Sequence, residues 1–390
     1  MQNFIKHTQN RLIAHEKQAL KRVRITAEQP IGRQIAFNGR SLLCFSSNDY
    51  LGLANHPELK SVFQSSIASL GVGAGASHIV CGHHQAHQNL EESVAALLKR
   101  DAALFFSNGY MANLAVISSL LTKKDAVFQD KLNHASLIDG GLYSKAHFIR
   151  YHHNQSHHLA QKLQQTDADY KLVCSDSVFS MDGDIIDITS MLPVIQQNQA
   201  LLYLDDAHGF GVLGKHGLGV SDYFDLNQHK LPLLMITLGK AMGCFGALVV
   251  GEKSLIEAIM QFGRNYIYTT ALPPSLASVA MKALDILQAE PWRRIHLHKL
   301  ITYFKQQASS LGLPILPSIT PIQPIIIGSE AKAMVVQEKL KQHDIMVNAI
   351  RYPTVLKNKA RLRVALNANH KFSDIDRFLS VLSKINLAQE

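Results

Sequence analysis

The chain has 390 residues, of which 47% are hydrophobic and 18% charged, and its 39 Lys and Arg against 30 Asp and Glu give a net charge of +9. These values exclude a disordered or low-complexity chain, and the length favours two domains over one. The four cysteines are scattered without a C-x-x-C pair, which excludes a zinc ribbon or a disulfide scaffold and is typical of a reducing, cytosolic setting.

The N-terminal part predicts an amphipathic helix over residues 1–30, ending before Pro30, and then a short β-like stretch over 35–45 that turns at Asn38-Gly39. The first residues are polar and basic, unlike the apolar core of a secretory signal. The best apolar window, 231–251, is interrupted by Lys240, so no transmembrane helix is expected. We therefore expect a soluble, cytoplasmic protein.

The middle of the chain alternates short apolar runs with helix-sized spacers, a rhythm typical of a largely parallel sheet covered by helices on both faces. The seven runs are Ala102–Phe106, 126–129, His147–Tyr151, 171–175, 201–204, Leu233–Thr237 and 247–250. Beyond Pro273-Pro274 the composition changes to a long helical stretch (275–310), a Pro-punctuated β region, a strand around 362–365 and a final helix. This pattern predicts a smaller C-terminal α+β domain.

Two sequence features suggest a dinucleotide site and a zinc site, but the residues around them do not support either site. GVGAGA (71–76) fits the dinucleotide pattern G-x-G-x-x-A, but a polar, helix-like segment precedes it where the pattern needs a buried strand, so a flexible glycine loop is favoured. Two groups of histidines, 83–87 and 152–158, lack the accompanying carboxylate or cysteine ligands of a zinc site. We interpret them as surface residues and expect no metal.

Polar motifs follow three of the apolar runs, at the edge of the sheet where open α/β folds bind ligands. SNGYMANLAV (107–116) places Gly109 at the start of a helix, either as a tight connection or as a phosphate cup. LLYLDDAHGFGVLG (201–214) brings Asp205 and His208 together, as a ligand site, a metal site or a capped loop. LLMITLGKAMG (233–243) places Lys240 at a buried strand end, where it is either ion-paired or a nucleophile.

The three motifs together match the needs of one cofactor. Pyridoxal 5'-phosphate requires a lysine amine, a carboxylate beside its pyridine nitrogen, and a cup of N–H and hydroxyl groups for its phosphate. Lys240, Asp205 and the Gly109 turn with Thr237 supply these groups in a consistent order along the chain. The combination predicts a pyridoxal-phosphate enzyme.

Further motifs make the chain similar to the α-oxoamine synthases, which condense an amino acid with an acyl-CoA. These motifs are SSNDYLGL (46–53), HQNLEESVAALL (87–98), NHASLIDG (133–140), DSVFSMDGD (176–184), DDAHGFGVLG (205–214), TLGKAMG (237–243) and IRYPTV with ARLRVAL (350–366). The resemblance implies fold type I, the aspartate-aminotransferase-like α/β fold with a mostly parallel seven-stranded sheet. It also implies three parts: an N-terminal helical segment (1–45), a cofactor-binding large domain (46–285) and a small C-terminal domain (286–390).

The same resemblance implies roles for individual residues. The catalytic set would be Lys240, His134, Asp205 and His208. The cofactor would be bound by Gly109, Tyr110, His134, Ser180, Asp205, His208, Thr237, Lys240 and, from a partner subunit, Thr270. The substrates would be bound by Arg22, Asn48, Arg351, Thr354 and Arg363. Within these sets, Lys240 would hold the cofactor covalently and act as general base, His134 would stack on its ring, and Arg363 would bind the amino-acid carboxylate, for which its planar fork is suited.

The motifs are most similar to the family members of biotin biosynthesis, which implies L-alanine and pimeloyl-CoA or pimeloyl-carrier protein as substrates and a homodimer with shared active sites. The sequence differs from the residues most common in those members at Asp176, in the glycine loop and at Tyr352. A sister enzyme that uses glycine, 2-amino-3-ketobutyrate CoA ligase or 5-aminolevulinate synthase, is therefore the alternative. Two readings from other classes are a cofactor-binding regulator without turnover, and a nucleic-acid binder, for which the basic cluster around Arg22 offers no recognition element.

Overall fold

The structure is a computed structural model that describes residues 1–17 and 20–385. The N-terminal elements are α1 (Gln2–Lys17), β1 (Gln34–Phe37), β2 (Arg40–Cys44), α2 (Pro57–Leu70), a π-helical turn (His78–Gly82) and α3 (Gln85–Leu97). The central elements are β3 (Ala102–Phe106), α4 (Gly109–Leu120), β4 (Ala126–Asp130), α5 (Ala135–Ser144), β5 (His147–Tyr151), α6 (Ser156–Gln165), β6 (Lys171–Asp176), α7 (Ile188–Gln197), β7 (Leu201–Asp205), α8 (Val220–Tyr223), β8 (Leu233–Thr237) and β9 (Ala247–Gly251). The C-terminal elements are α9 (Lys253–Phe262), α10 (Arg264–Ile267), α11 (Pro274–Ala289), α12 (Trp292–Ser310), β10 (Ile322–Gly328), α13 (Glu330–Gln342), β11 (Ile345–Met346), β12 (Asn348–Ile350), β13 (Ala360–Ala365) and α14 (Phe372–Lys384).

A seven-stranded sheet of order β3-β9-β8-β7-β6-β4-β5 forms the centre of the fold, and its strands are the seven apolar runs of the sequence. The strands from β5 to β8 pair in parallel, whereas β9 is antiparallel to both β8 and β3. Only residues 238–246 connect β8 to β9, and a parallel crossover needs about a dozen residues or more. The predicted mostly parallel sheet is confirmed, and the short connection keeps Lys240 at its edge.

The sheet is buried on both faces because successive side chains of a strand point to opposite sides. In β7, Leu202 and Leu204 belong to the hydrophobic cluster on one face of the sheet, and Tyr203 belongs to the cluster on the other face. Helix α11 contributes Ala280 to the first of these clusters, and α4 contributes Val116 to the second. Helices therefore cover both faces, as a parallel sheet requires.

Two small sheets form the predicted α+β unit. Strands β10, β13 and β12 pair antiparallel, and β13 contains the strand predicted around 362–365. The β-like stretch at 35–45 is the hairpin β1–β2, which turns at Asn38 (φ 50°) and Gly39 (φ 68°), as a tight hairpin turn requires. Strand β2 also pairs with β11, so these N-terminal strands pack against the C-terminal part of the chain. The domain boundaries at 45 and 285 stay predictions, and the second falls inside α11.

Two predicted helices differ in length from the observed ones. Helix α1 ends at Lys17, and residues 20–30 contain no helix, so the prediction of a helix up to Pro30 was wrong. The stretch 275–310 is two helices, because Pro291, which lacks an N–H, begins a new helix at α12 in place of continuing α11. Among residues 1–17 and 20–385, no helix has the length and apolar character needed to span a bilayer.

Candidate active site

Lys240 lies in the connection between β8 and β9, at the carboxyl edge of the sheet. Its Nζ is 2.8 Å from His208 Nε2. Burial lowers the pKa of Lys240 to about 8, although the neighbouring carboxyl groups of Asp205 and Asp176 act in the opposite direction. At neutral pH this lysine therefore has a larger share of neutral, nucleophilic amine than an exposed lysine.

Asp205 is the last residue of β7 and is only 4% exposed. Its Oδ2 accepts a hydrogen bond from Asn113 Nδ2 (2.7 Å), and its Oδ1 accepts one from the backbone N–H of Ala207 (2.9 Å). It forms no ion pair with any other side chain that the structure describes. A buried carboxylate without a cation is costly, so this position is suited to a positively charged partner.

Asn113 connects Asp205 to His134. Its Nδ2 also donates to Ser136 Oγ (2.7 Å), and its Oδ1 accepts from the Tyr203 hydroxyl (2.6 Å). Ser136 Oγ lies 2.7 Å from His134 Nδ1. Every polar atom of the Asn113 amide is thus engaged, and the imidazole and the carboxylate are held by one network.

His134 is the N-cap residue of α5, and its backbone N–H donates to Asp176 Oδ2 (2.6 Å). Burial lowers the pKa of His134, whereas the nearby Asp205 carboxylate raises it. Burial, reinforced by the Asp205 charge, raises the pKa of Asp176 well above its usual range. The His134 ring is thereby fixed beside Asp205 at the sheet edge.

His208 and Tyr50 continue the contacts that start at Lys240. Burial lowers the pKa of His208 well below its ordinary value, and the Lys240 and Arg363 charges lower it further. A neutral imidazole that accepts from Lys240 at Nε2 carries its proton on Nδ1, which lies 2.7 Å from the Tyr50 hydroxyl. Tyr50 in turn donates to Asn48 Oδ1 (3.2 Å).

Arg363, on β13, has a guanidinium group whose N–H donors are only partly engaged in hydrogen bonds. Its Nε donates to the Ser180 carbonyl (2.6 Å), one Nη donates to Asn48 Oδ1 (3.1 Å) and the other to the Tyr50 hydroxyl (3.4 Å). A guanidinium has five N–H donors, so one N–H on each Nη remains. Two parallel N–H groups are the arrangement that binds a carboxylate.

The N-terminus of α4 offers an anion site. Asn108 Oδ1 accepts from the Met111 N–H (2.9 Å), which leaves the N–H groups of Gly109 and Tyr110 without a partner inside the helix. A Cβ on Gly109 would lie 3.0 Å from Met235 Cε, so a larger residue fits poorly there. Thr237, at the end of β8, adds a hydroxyl that donates to the Gly246 carbonyl (3.2 Å).

Thr270 lies near this turn within the same chain. It forms a β-bridge with Ser77 and lines a small cavity of about 10 Å³ together with Ser107, which precedes the α4 cap. Its predicted contribution to a partner's site stays a prediction.

Arg22, Arg351 and Thr354 line a second cavity, of about 180 Å³, together with Tyr352. Arg351 is held by a hydrogen bond from Nη2 to the Lys21 carbonyl (3.2 Å). The two guanidinium groups make this cavity suited to an anionic group. The structure thus brings together the three residues expected near the acyl substrate.

Sequence analysis did not assign three residues that hold this site together, namely Tyr50, Asn113 and Ser136. Tyr50 lies inside the motif SSNDYLGL and could have been found there. Asn113 follows Gly109 by one helical turn, and side chains four residues apart share a helix face. Ser136 lies inside the motif NHASLIDG, but its role depends on the contact between α4 and α5, which the motif does not show.

The prediction that no strand precedes the glycine loop is confirmed, whereas the prediction for the histidine groups is only partly correct. GVGAGA follows α2 and not a strand, as predicted. The interpretation of the histidines as surface residues was wrong for His87, whereas His153 is only partly covered. His87 is fully buried, and His153 packs between Asp130 (3.1 Å) and Asp184 (2.8 Å).

The residues present fit pyridoxal phosphate. The Lys240 amine suits its aldehyde, and the α4 N-terminus suits its phosphate. The unpaired, buried Asp205 is the most specific observation, because a protonated pyridine nitrogen would supply the missing cation.

Comparisons with known proteins agree with this geometry. A family model described as aminotransferase class I and II matches residues 40–382. The 8-amino-7-oxononanoate synthase of Cellvibrio japonicus is 48% identical over 93% of this chain and 92% of its own length. The solved structure of 8-amino-7-oxononanoate synthase from Francisella tularensis is 33% identical with a TM-score of 0.78, covering 88% of this chain and 97% of its own. A serine palmitoyltransferase from S. paucimobilis, solved with bound PLP–myriocin aldimine, is 25% identical with a TM-score of 0.91, covering 96% of both chains.

Proposed function

The chain belongs to the class I and II aminotransferase family, and from this premise we propose that it acts as an 8-amino-7-oxononanoate synthase in biotin biosynthesis. The reaction condenses L-alanine with pimeloyl-CoA, or pimeloyl-carrier protein, and releases CO2 and the free thiol. Among the residues of the site, one observation carries the proposal: the Lys240 amine of lowered pKa lies at the same sheet edge as Asp205, a buried carboxylate without a cation.

Pyridoxal phosphate is the cofactor, and the residues that would hold it are those of the sheet edge. Lys240 would bind it through its amine, Asp205 would pair with the pyridine nitrogen, and His134 would lie against the ring. The phosphate would be held by Gly109, Tyr110 and Thr237, with Thr270 from a partner subunit, and the phenolic oxygen side would be contacted by Ser180 and His208. When bound, the cofactor withdraws electrons from the amino-acid Cα and so stabilises a carbanion there.

Arg363 orients the amino acid. Its two remaining N–H groups bind the alanine carboxylate, while Asn48 and Tyr50 hold the guanidinium in place. Lys240 Nζ takes the proton from Cα, and the resulting ammonium donates to His208 Nε2. The proton is therefore kept at the site by a neutral imidazole, which lacks the positive charge that would repel an ammonium.

The acyl donor enters from the cavity of Arg22, Arg351 and Thr354. The guanidinium groups pair with anionic groups of the donor, either the CoA phosphates or the terminal carboxylate of the pimeloyl chain.

We also propose a cytoplasmic homodimer. Helix α1 has no buried residue and exposes Phe4, Ile5, Leu12 and Ile13, which supports its packing against a second copy. Cys44, Cys81, Cys174 and Cys244 are all free thiols, which suits a reducing compartment.

The substrates are tested by following thiol release from the purified holoenzyme. We expect release with pimeloyl-CoA and L-alanine at a higher kcat/KM than with glycine, acetyl-CoA or succinyl-CoA, and none with a Lys240→Ala variant. Alanine and glycine differ by one methyl group, worth about 1–3 kcal/mol, so both amino acids must be compared at equal acyl-CoA. A preference for glycine with a short-chain acyl-CoA would contradict the proposal and identify a sister enzyme.

A further inference from the structure

Three imidazoles converge beside the first turn of α3, separate from the residues assigned to the cofactor and substrates. They belong to His78 and His83, which lie in and directly after the π-helical turn, and to His87. Their ring centroids are 5.0–5.7 Å apart, and one nitrogen from each ring lies within 4.8 Å of the other two. His78 Nδ1 and His83 Nδ1 are only 2.9 Å apart.

Hydrogen bonds fix the proton on the outer nitrogen of two of these rings. His87 Nε2 donates to the Leu272 carbonyl (2.9 Å). His83 Nε2 donates to Gln88 Oε1 (3.1 Å), because the Gln88 amide nitrogen donates to Glu92 (2.6 Å). In their neutral forms both rings therefore carry a lone pair on Nδ1. An imidazole whose outer N–H is bound by a carbonyl is the arrangement found around protein metal ligands.

The third ring has an atom without a partner. His78 Nε2 is buried and has no hydrogen-bond partner among the described residues. Neutral imidazole is the form that binds a metal, and coordination through His78 Nδ1 places the ring proton on the unpartnered Nε2.

The distances suit a transition-metal ion. Ligand nitrogens about 2.0–2.1 Å from a tetrahedral Zn²⁺ lie roughly 3.3 Å from each other, close to the observed 2.9 Å between His78 and His83. His87 Nδ1 now accepts from the His84 N–H (3.0 Å), and coordination would release that N–H at the start of α3. Imidazole nitrogen ligands favour Zn²⁺ over Ca²⁺ or Mg²⁺.

We propose that His78, His83 and His87 form a Zn²⁺ site, with water at the remaining position. The ion ties the π-helical turn to α3. His78 also stacks on Tyr266 (5.0 Å between centroids, 6° between planes), and both line the cavity that contains Thr270. The ion therefore stabilises the wall of that cavity.

The test is calorimetric titration of ZnCl2 into EDTA-treated holoenzyme. We expect His83→Asn and His78→Phe each to bind one Zn²⁺ fewer per chain than the unmodified protein. His84→Asn is the matched control, because His84 is the adjacent exposed imidazole and Asn is a good N-cap. Zn²⁺ should raise the Tm of the unmodified protein and of His84→Asn only.

Two results would overturn the site. One is equal Zn²⁺ stoichiometry in all four proteins, and the other is loss of the same equivalent in His84→Asn. The cofactor absorbance and the Tm without metal report whether each variant is folded. His78→Phe keeps the stacking on Tyr266, so it decides the question if His83→Asn does not fold.

Discussion

Lys240 Nζ lies 2.8 Å from His208 Nε2, and Nδ1 of the same imidazole lies 2.7 Å from the Tyr50 hydroxyl. Tyr50 also accepts from Arg363 (3.4 Å), so an unbroken series of contacts joins the amine after β8 to the guanidinium on β13. The group that takes a proton and the group that binds a carboxylate are thus positioned relative to each other by the chain itself.

Replacing Arg363 with Lys should mainly weaken binding of the amino acid. Lysine cannot present two parallel N–H groups, and a charge-assisted contact is worth about 1.5–3 kcal/mol. We expect the KM for alanine to rise roughly 10- to 100-fold, while the KM for the acyl thioester changes little. Arg377→Lys, on the exposed face of α14, should leave both constants unchanged. An equal rise in both KM values would contradict the assignment.

Asn113→Ala should reduce both stability and cofactor binding. The substitution removes one hydrogen bond from each of Asp205, Ser136 and Tyr203, and a lost buried hydrogen bond costs about 1–3 kcal/mol. We expect the free energy of unfolding to fall by at least that amount and the cofactor to dissociate more readily, as measured by absorbance during dialysis. The control is Asn198→Ala, because the Asn198 amide nitrogen donates to the Val194 carbonyl and the side chain lies outside the site. Unchanged cofactor retention in Asn113→Ala would show that Asn113 does not position Asp205.

The lowered pKa of Lys240 predicts how stability depends on pH in the cofactor-free protein. Its folded value, about 8, is below the ordinary 10.5, so unfolding takes up a proton between these pH values and the lysine destabilises the fold most at pH 7. Lys240→Met should therefore be more stable than the unmodified protein by about 1–3 kcal/mol at pH 7. Denaturant titrations should show the difference shrinking towards zero as the pH approaches 10.5. A stability difference between the two proteins that does not depend on pH would show that the pKa of Lys240 is not lowered.

His153 should stabilise the fold with the opposite pH dependence: its contribution to the free energy of unfolding falls as the pH rises. Burial alone would lower its pKa, but the hydrogen bonds to Asp130 and Asp184 raise it to about 9. The contribution is complete below the unfolded pKa of 6.5 and is lost as the pH rises through 9. His153→Gln should therefore cost about 1–2 kcal/mol at pH 6 and much less at pH 9.5. Exposed His157→Gln is the control, and a cost that grows with pH would contradict this account.

The sequence predicted the central sheet and the chemistry at its edge well. Buried parallel strands are continuous apolar runs in the sequence. The functional residues lie at the ends of such runs or shortly after them, as Asp205, Thr237 and Lys240 do. The single antiparallel strand was also encoded, in the short connection from β8 to β9, although only the structure shows where β9 pairs.

The residues that the sequence did not reveal are those whose role depends on contacts between distant elements. Ser136 acts only because α5 packs against α4, and His87 is buried because α3 meets the segment carrying Leu272. His78 has no companion within four residues of sequence, so the imidazole cluster exists only in the folded chain. A local pattern cannot distinguish such buried histidines from exposed ones.

The most direct test of the central claim is to reduce the holoenzyme with sodium borohydride and map the modified lysine by peptide mass spectrometry. We predict that the cofactor is attached to Lys240 alone, and that Lys240→Ala carries no covalent cofactor while still binding it reversibly. Attachment to another lysine, such as Lys253 at the start of α9, or no covalent attachment at all, would contradict the assignment of this site.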